Sequence, residues 1–126
     1  MEDHQKVKTL TPHELGKLGE EIAKNYLQKK KFRIVERGFR LYRGEIDLVA
    51  YDNETLVFIE VKTRSPGALG LPEESVDARK QGQIRKMAEG YLALNNLDDV
   101  ECRFDVLSIL FDENGTRSII YYKDAF

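Results

Sequence analysis

Four charged side chains stand inside runs that otherwise look built for burial. Glu45 and Asp47 lie in Gly44-Glu45-Ile46-Asp47-Leu48-Val49-Ala50, and Glu60 and Lys62 in Leu56-Val57-Phe58-Ile59-Glu60-Val61-Lys62. Charges placed among Ile, Val and Phe cost on the order of several kcal/mol unless they are paired or bind a cation. Asp47 and Glu60 offer the oxygen ligands that a hard divalent cation such as Mg²⁺ or Mn²⁺ takes, leaving positions for water and a phosphate. Such a cation polarises a phosphoryl oxygen, acidifies its water and offsets charge on the leaving oxygen. Lys62, two residues after Glu60, projects to the same strand face and suits orientation or deprotonation of the attacking water, or stabilisation of the pentacoordinate phosphate. No Cys/His cluster suggests zinc, no Gly-rich phosphate loop is present, and His4 and His13 sit far from the apolar strands.

Two strands must hold these groups. Asp52-Asn53-Glu54-Thr55 is the turn-like cluster between the apolar runs, with its midpoint between Asn53 and Glu54. A turn centred there pairs Tyr51 with Leu56, Val49 with Phe58, Asp47 with Glu60 and Glu45 with Lys62. Strict alternation then puts Glu45, Asp47 and Val49 on one face with Phe58, Glu60 and Lys62. Directly opposed Cβ atoms lie about 4.5–5.5 Å apart, so two carboxylates there can share a cation. In this register Glu45 is the charge partner of Lys62. A slip of one residue would put the acids on opposite faces.

Elements on either side complete the frame. Thr11-Pro12-His13-Glu14 is a helix start with an N-cap, a proline at the first helical position and a capping box. Leu15, Leu18, Ile22 and Tyr26 form its apolar stripe, and Gly16, Gly19 and Ala23 beside the stripe allow close approach to a sheet. Glu20, at the stripe's edge, is within reach of a site on that sheet, or else a surface glutamate paired with Lys17 or Lys24. Lys29-Lys30-Lys31 closes the helix. A first strand is expected over Phe32–Leu41, with Gly38 a bulge or a close approach. Pro66–Pro72 is a breaker-rich loop, either a substrate-contacting flap or a plain connection. A second helix follows from near Ser75 or Asp77 to about Asn95, with Ile84, Met87, Ala88, Tyr91 and Leu92 on its core face and Arg79, Lys80, Arg85 and Lys86 in its first half. Arg103–Phe111 reads as a fourth strand buried on both faces. Asn114-Gly115 favours a hairpin into an edge strand over Ser118–Lys123. The order is helix, three strands, helix, two strands, an α/β fold with a mixed central sheet flanked by helices.

Composition bounds the rest. A chain of 126 residues with 41% hydrophobic and 33% charged residues suits one soluble domain. Cys102 is alone and has no internal disulfide partner, which suits a reducing compartment. Met1–Lys6 lacks a secretory apolar region and no apolar run reaches membrane-spanning length, so a cytoplasmic protein is expected. The net charge of −2 is unevenly spread: residues 1–43 carry 11 Lys/Arg against 6 Asp/Glu, the remainder 9 against 16. A basic N-terminal part can meet phosphate while acids gather where a cation sits, although a solvated helix and strand would show the same bias.

The D…E-x-K spacing across a hairpin is similar to the PD-(D/E)XK nuclease superfamily. More specifically, Gly19-Glu20, Gly44-Glu45-Ile46-Asp47-Leu48 and Phe58-Ile59-Glu60-Val61-Lys62-Thr63-Arg64 resemble the bacterial YraN family, also called UPF0102. Lys80, Ala88-x-x-Tyr91-Leu92 and Arg103-Phe104-Asp105-Val106 continue the resemblance, which extends from Leu15 onwards. It implies a single-domain restriction-endonuclease-like αβββαββ fold over residues 11–126 behind a flexible segment 1–10, related to Holliday-junction resolvases. It further implies Asp47, Glu60 and Lys62 as the active triad and Glu20 as an accessory ligand. Arg64 and Lys80 are candidate phosphate contacts, or else solvated surface. Two departures stand out: Glu45-Ile46 replaces the superfamily's proline before the aspartate, and Gly38 stands where the family's asparagine is expected.

The function that follows is a Mg²⁺- or Mn²⁺-dependent endonuclease acting on nucleic acid, DNA foremost and branched DNA in particular. The alternative is a non-catalytic nucleic-acid-binding or adaptor domain that keeps the nuclease fold; a third reading is a structural domain whose hairpin charges form ion pairs. No base-reading element is visible, so contacts would go mainly to phosphates and shape. Two coordinated cuts at a junction would call for a homodimer.

Overall fold

The computed structural model describes residues 10–65 and 76–126. Helix α1 (Pro12–Lys29) starts where the capping box requires: the Glu14 N–H donates to Thr11 Oγ1 at 3.1 Å and the Thr11 N–H to Glu14 Oε1 at 2.9 Å. Strands β1 (Arg33–Leu41), β2 (Gly44–Asp52) and β3 (Thr55–Arg64) follow, then helix α2 (Ala78–Leu94), β4 (Cys102–Phe111) and β5 (Arg117–Tyr122). Asp77 caps α2 by accepting the Lys80 N–H at 2.9 Å. Ser75 and the loop over Pro66–Pro72 lie outside the described residues, as does the segment 1–9.

The five strands form one sheet in sequence order, antiparallel except for the β3–β4 pair. A parallel pair needs a crossover, and α2 supplies it. Helix α1 covers one face, with Ile22, Ala23 and Leu27 packed on Leu48, Ala50, Val57, Ile59, Leu107, Ile109 and Phe111. Helix α2 covers the other, with Ile84, Met87, Ala88 and Tyr91 against Ile46, Val49, Leu56, Phe58, Phe104 and Val106. Central strands covered on both sides must be apolar at successive residues, which explains the unbroken run Leu56–Ile59 and the second half of β4.

The β2–β3 ladder runs from Asp52↔Thr55 to Leu48↔Ile59, the register that a turn at Asn53-Glu54 requires. Asn53 takes the left-handed conformation there, with φ 56°. The ladder stops at Leu48↔Ile59, so the expected continuation to Asp47–Glu60 and Glu45–Lys62 is replaced by an opening between the strands.

Strict alternation also fails at one point. Leu48 and Ala50 face α1, yet Ile46 faces α2 together with Val49, so β2 changes faces at Asp47. Its neighbour β1 changes with it: Arg37 pairs with Leu48 and reaches Glu21 of α1, while Phe39 pairs with Ile46 on the α2 side. The residue between them is Gly38, with φ +62°. The register shift itself lies earlier, between Ile34 and Glu36. Glycine and asparagine adopt a left-handed backbone most readily, so Gly38 in place of the expected asparagine preserves the conformation on which the switch depends. Glu45, Asp47 and Val49 therefore do not share a face as strict alternation requires: Glu45 looks to α1, Val49 to α2, and Asp47 sits at the crossing.

Close approach of α1 to the sheet depends on Gly19, whose absent Cβ would meet the Thr63 side chain, whereas Gly16 has open space around it. A separate network centred on Asp105 ties β4 to β2 and β5 on the α1 face of the sheet. Arg103 donates from Nε and Nη2 to Asp105 at 3.0 and 2.9 Å and reaches Asp52 from Nη1 at 3.0 Å. Tyr121 and the Asp124 N–H also donate to Asp105, which is fully buried. All its partners are in place, so Arg103-Phe104-Asp105 is a structural element.

Candidate metal centre at the strand fork

Where β2 and β3 part, the Asp47 carboxylate accepts the Val61 backbone N–H at 2.8 Å, taking the place that a β2 carbonyl would occupy in a continued ladder. The opening is a cavity of about 440 Å³ lined by Glu45, Asp47, Glu60 and Lys62 from the strands and by Lys80 and Gln83 from α2. Glu60 and Lys62 enter from the α2 side, continuing the alternation of Leu56 and Phe58. Glu20 of α1 approaches from the opposite face, and its carboxylate, with those of Glu45 and Asp47, places ligand atoms within 4.8 Å of one another. Asp47 thus belongs to both acidic groups, which is what the face switch achieves.

Lys80 Nζ lies 3.6 Å from Glu60 Oε2. The other oxygen, Glu60 Oε1, is buried and has no hydrogen-bond partner among the described residues, and the residue is only 4% exposed. A buried carboxylate oxygen without a donor carries a desolvation penalty that a cation would remove. Burial raises Glu60 to about 7, with Asp47 adding to the shift and Lys80 opposing it. Burial likewise raises Asp47 to about 6; Glu20 and Glu45 add to this, against the Val61 hydrogen bond. Glu20 is also raised, by burial first and then by Glu45. Lys62 moves down to about 8, through burial and then through Lys80 beside it. These opposed shifts describe three carboxylates short of positive charge and a lysine that gives up its proton more readily than an ordinary one.

The residues singled out in the sequence are thus brought together in large part. Asp47, Glu60, Lys62 and Lys80 line one cavity, and Glu20 joins from behind. Glu45 is the exception to its expected role: it pairs with Arg40 Nη2 at 3.2 Å and groups with Glu20, because the face switch turns it away from Lys62. Arg64 ends β3 beyond the cavity, and its Nε is buried without a partner among the described residues. Lys80 is held by Glu60, so its position near the start of α2 is offset by a protein carboxylate. Arg85 stacks on Phe104 and Phe126, and Lys86 on Tyr42. Arg43 and Gln83 also line the cavity and were not anticipated. Their signals were present: Gln83 lies three residues after Lys80 on the same helix face, and Arg43 immediately precedes the Gly44–Asp47 run. Among the described residues, no helix is long and apolar enough to cross a membrane.

The family model described as Uncharacterised protein family UPF0102 matches residues 19–109. The chain is similar to a UPF0102 protein of Geotalea daltonii, 46% identical over 112 residues that cover 89% of this chain and 88% of the relative. A UPF0102 protein of Chlorobaculum tepidum is 48% identical over 114 residues, with 89% and 87% covered. One from Alkaliphilus oremlandii is 45% identical over 114 residues, with 89% and 97% covered.

Proposed function

The chain belongs to the UPF0102 family, and from its strand fork we propose that it is a divalent-metal-dependent endonuclease hydrolysing phosphodiester bonds in DNA, branched DNA included. The observation that carries this reading is Glu60 Oε1, buried, without a donor among the described residues and set in one cavity with Asp47 and Lys62. Asp47 and Glu60 would hold Mg²⁺ or Mn²⁺, and Glu20 with Glu45 extends the oxygen-donor set behind Asp47. When bound, the cation supplies Lewis-acid polarisation of the phosphoryl oxygen and lowers the pKa of water.

The chain's own residues divide the remaining work. Lys62, shifted down to about 8, is still mostly protonated at pH 7, and the neutral form that grows as pH rises towards 8 can accept the proton of the attacking water. Lys80 keeps its proton: burial works against it, but the neighbouring Lys62 amine and Glu60 raise its pKa. It is therefore the fixed positive charge facing the phosphate. Arg43, in the cavity's lining, and Arg64, at the end of β3, would serve as further phosphate contacts. The protein would act in the cytoplasm, with two copies making paired cuts at a junction.

The test is a titration of Mg²⁺ and of Mn²⁺ with wild type and Asp47→Ala on duplex, single-stranded and four-way-junction DNA. Metal-dependent cutting by wild type and none by the variant is expected. Binding of DNA with no cuts in either metal on any substrate would overturn the enzyme reading in favour of a non-catalytic nucleic-acid-binding domain.

A further inference from the structure

The β1–β2 connection breaks a local rule beside the proposed metal centre. Leu41 pairs with Gly44, leaving a two-residue turn of Tyr42 and Arg43, and both carry positive φ, 53° and 62°. Two-residue hairpin turns of this kind favour Asn-Gly or Asp-Gly, because a side chain with a Cβ pays about 1–2 kcal/mol per residue in the left-handed region. The turn is braced on both sides. The Leu41 side chain packs where a Cβ on Gly90 would sit, and a Cβ on Gly44 would lie 2.6 Å from Met87 Sδ. Helix α2 thus presses against the hairpin immediately before and after its tip and over-determines the strained conformation.

The tip displays an exposed aromatic ring. Tyr42 is 56% exposed, with Lys86 Nζ 5.0 Å from its ring centroid, while its neighbour Arg43 lines the metal cavity. A single exposed aromatic is ordinary. An exposed aromatic in a strained turn, locked by two glycine contacts, flanked by cations and one residue from the cavity, is a preorganised surface. A flat ring beside fixed positive charge matches a nucleobase next to its phosphates.

We propose that Tyr42 is a stacking platform for a nucleobase adjacent to the phosphate held in the cavity, with Arg43 and Lys86 contacting the flanking phosphates. This inference rests on the nucleic-acid reading of the site and narrows its substrate. A base must leave its stack to reach the ring, so the preferred substrate is single-stranded or branched at the cut, and continuous duplex is disfavoured.

The experiment uses the full chain with Ca²⁺ in place of Mg²⁺, and oligonucleotides carrying 2-aminopurine at successive positions in a single strand, a four-way junction and a continuous duplex. Wild type and Tyr42→Phe are expected to quench the probe at one or two positions. Tyr42→Asn removes the ring while supplying a residue that favours the left-handed turn. It is expected to melt at a higher temperature than wild type, yet lose the quenching and bind single strand and junction about 5- to 100-fold more weakly, with duplex binding nearly unchanged. Tyr42→Ala should bind as Tyr42→Asn does. Wild-type quenching and affinity in both ring-less variants, an equal loss on continuous duplex, or no binding of any probe by wild type would overturn the proposal. Failure of the nuclease reading is distinct: it appears as absence of Mg²⁺- or Mn²⁺-dependent cutting by wild type, whatever the stacking signal.

Discussion

The Asp47 carboxylate accepts the Val61 N–H at 2.8 Å, two residues beyond the point where the β2–β3 ladder could have supplied a carbonyl. One side chain thereby satisfies the backbone donor, holds the strands apart and faces the acids of both sheet faces. Asp47→Asn keeps an acceptor for Val61, whereas Asp47→Ala leaves a partly buried donor unmatched. The alanine variant is expected to be less stable than the asparagine variant by about 1–2 kcal/mol in urea denaturation, while both lose metal-dependent cutting. Equal stabilities would show that the hydrogen bond does not hold the fork.

Glu60 should destabilise the metal-free fold. Its pKa is raised from the ordinary carboxylate range to about 7, so its favourable contribution is complete below the unfolded value near 4.5 and is lost as pH rises through 7. Glu60→Gln removes that loss. In EDTA the variant is expected to exceed wild type at pH 8 by on the order of 2 kcal/mol and to match it near pH 4. A variant weaker than wild type at pH 8 would contradict the assignment of an unsatisfied carboxylate.

Metal binding should reverse that penalty. Mg²⁺ or Mn²⁺ at a hundredfold excess over its Kd should stabilise wild type by about 2.7 kcal/mol, and the rise in Tm should vanish in Asp47→Ala. Asp47 and Glu60, shifted to about 6 and about 7, hold protons that a cation must displace. Affinity is therefore expected to fall as pH drops from 7.5 to 5.5, with proton release detected by calorimetry in buffers of different ionisation enthalpy. A pH-independent affinity would exclude these two carboxylates as ligands.

Lys62 predicts the alkaline side of the rate profile. A base must be neutral to accept a proton, so kcat/KM should rise with pH and level off above about 8. Lys62→Met should lower the rate by about 10²- to 10⁴-fold and abolish that rise. Retention of the rise in the variant would assign it to another group.

The Arg103–Asp105 pair should matter for stability alone. Asp105→Asn weakens an ion pair whose carboxylate is fully buried and is expected to cost about 3 kcal/mol in urea denaturation. The remaining folded protein should show the same metal-induced rise in Tm as wild type, because Asp105 and its partner Tyr121 lie on the α1 face of the sheet, whereas Glu60 and Lys62 enter the fork from the α2 side. Loss of that rise would connect the network to the metal centre.

Much of this architecture was legible along the chain because it depends on local chemistry. Thr11 and Glu14 mark the start of α1, Asn53 marks the β2–β3 turn and so sets its register, and the apolar run Leu56–Ile59 announces a strand covered on both faces. Acids and a lysine embedded in those strands mark the candidate centre by local chemistry alone. The tertiary structure decided how the strands end. Period-two alternation assumes an unbroken pleat, but β1 and β2 change faces together at Gly38 and Asp47, and a coupled irregularity in two neighbouring strands leaves no pattern in either taken alone. That switch turns Glu45 to Arg40 and Glu20 and frees Lys62 to meet Lys80, while Glu60 Oε1 has no donor among the described residues. The sequence by itself determined which groups are present and which strands carry them; only the packing of two helices on opposite faces decided which groups meet, because burial and partner geometry arise between segments distant in the chain.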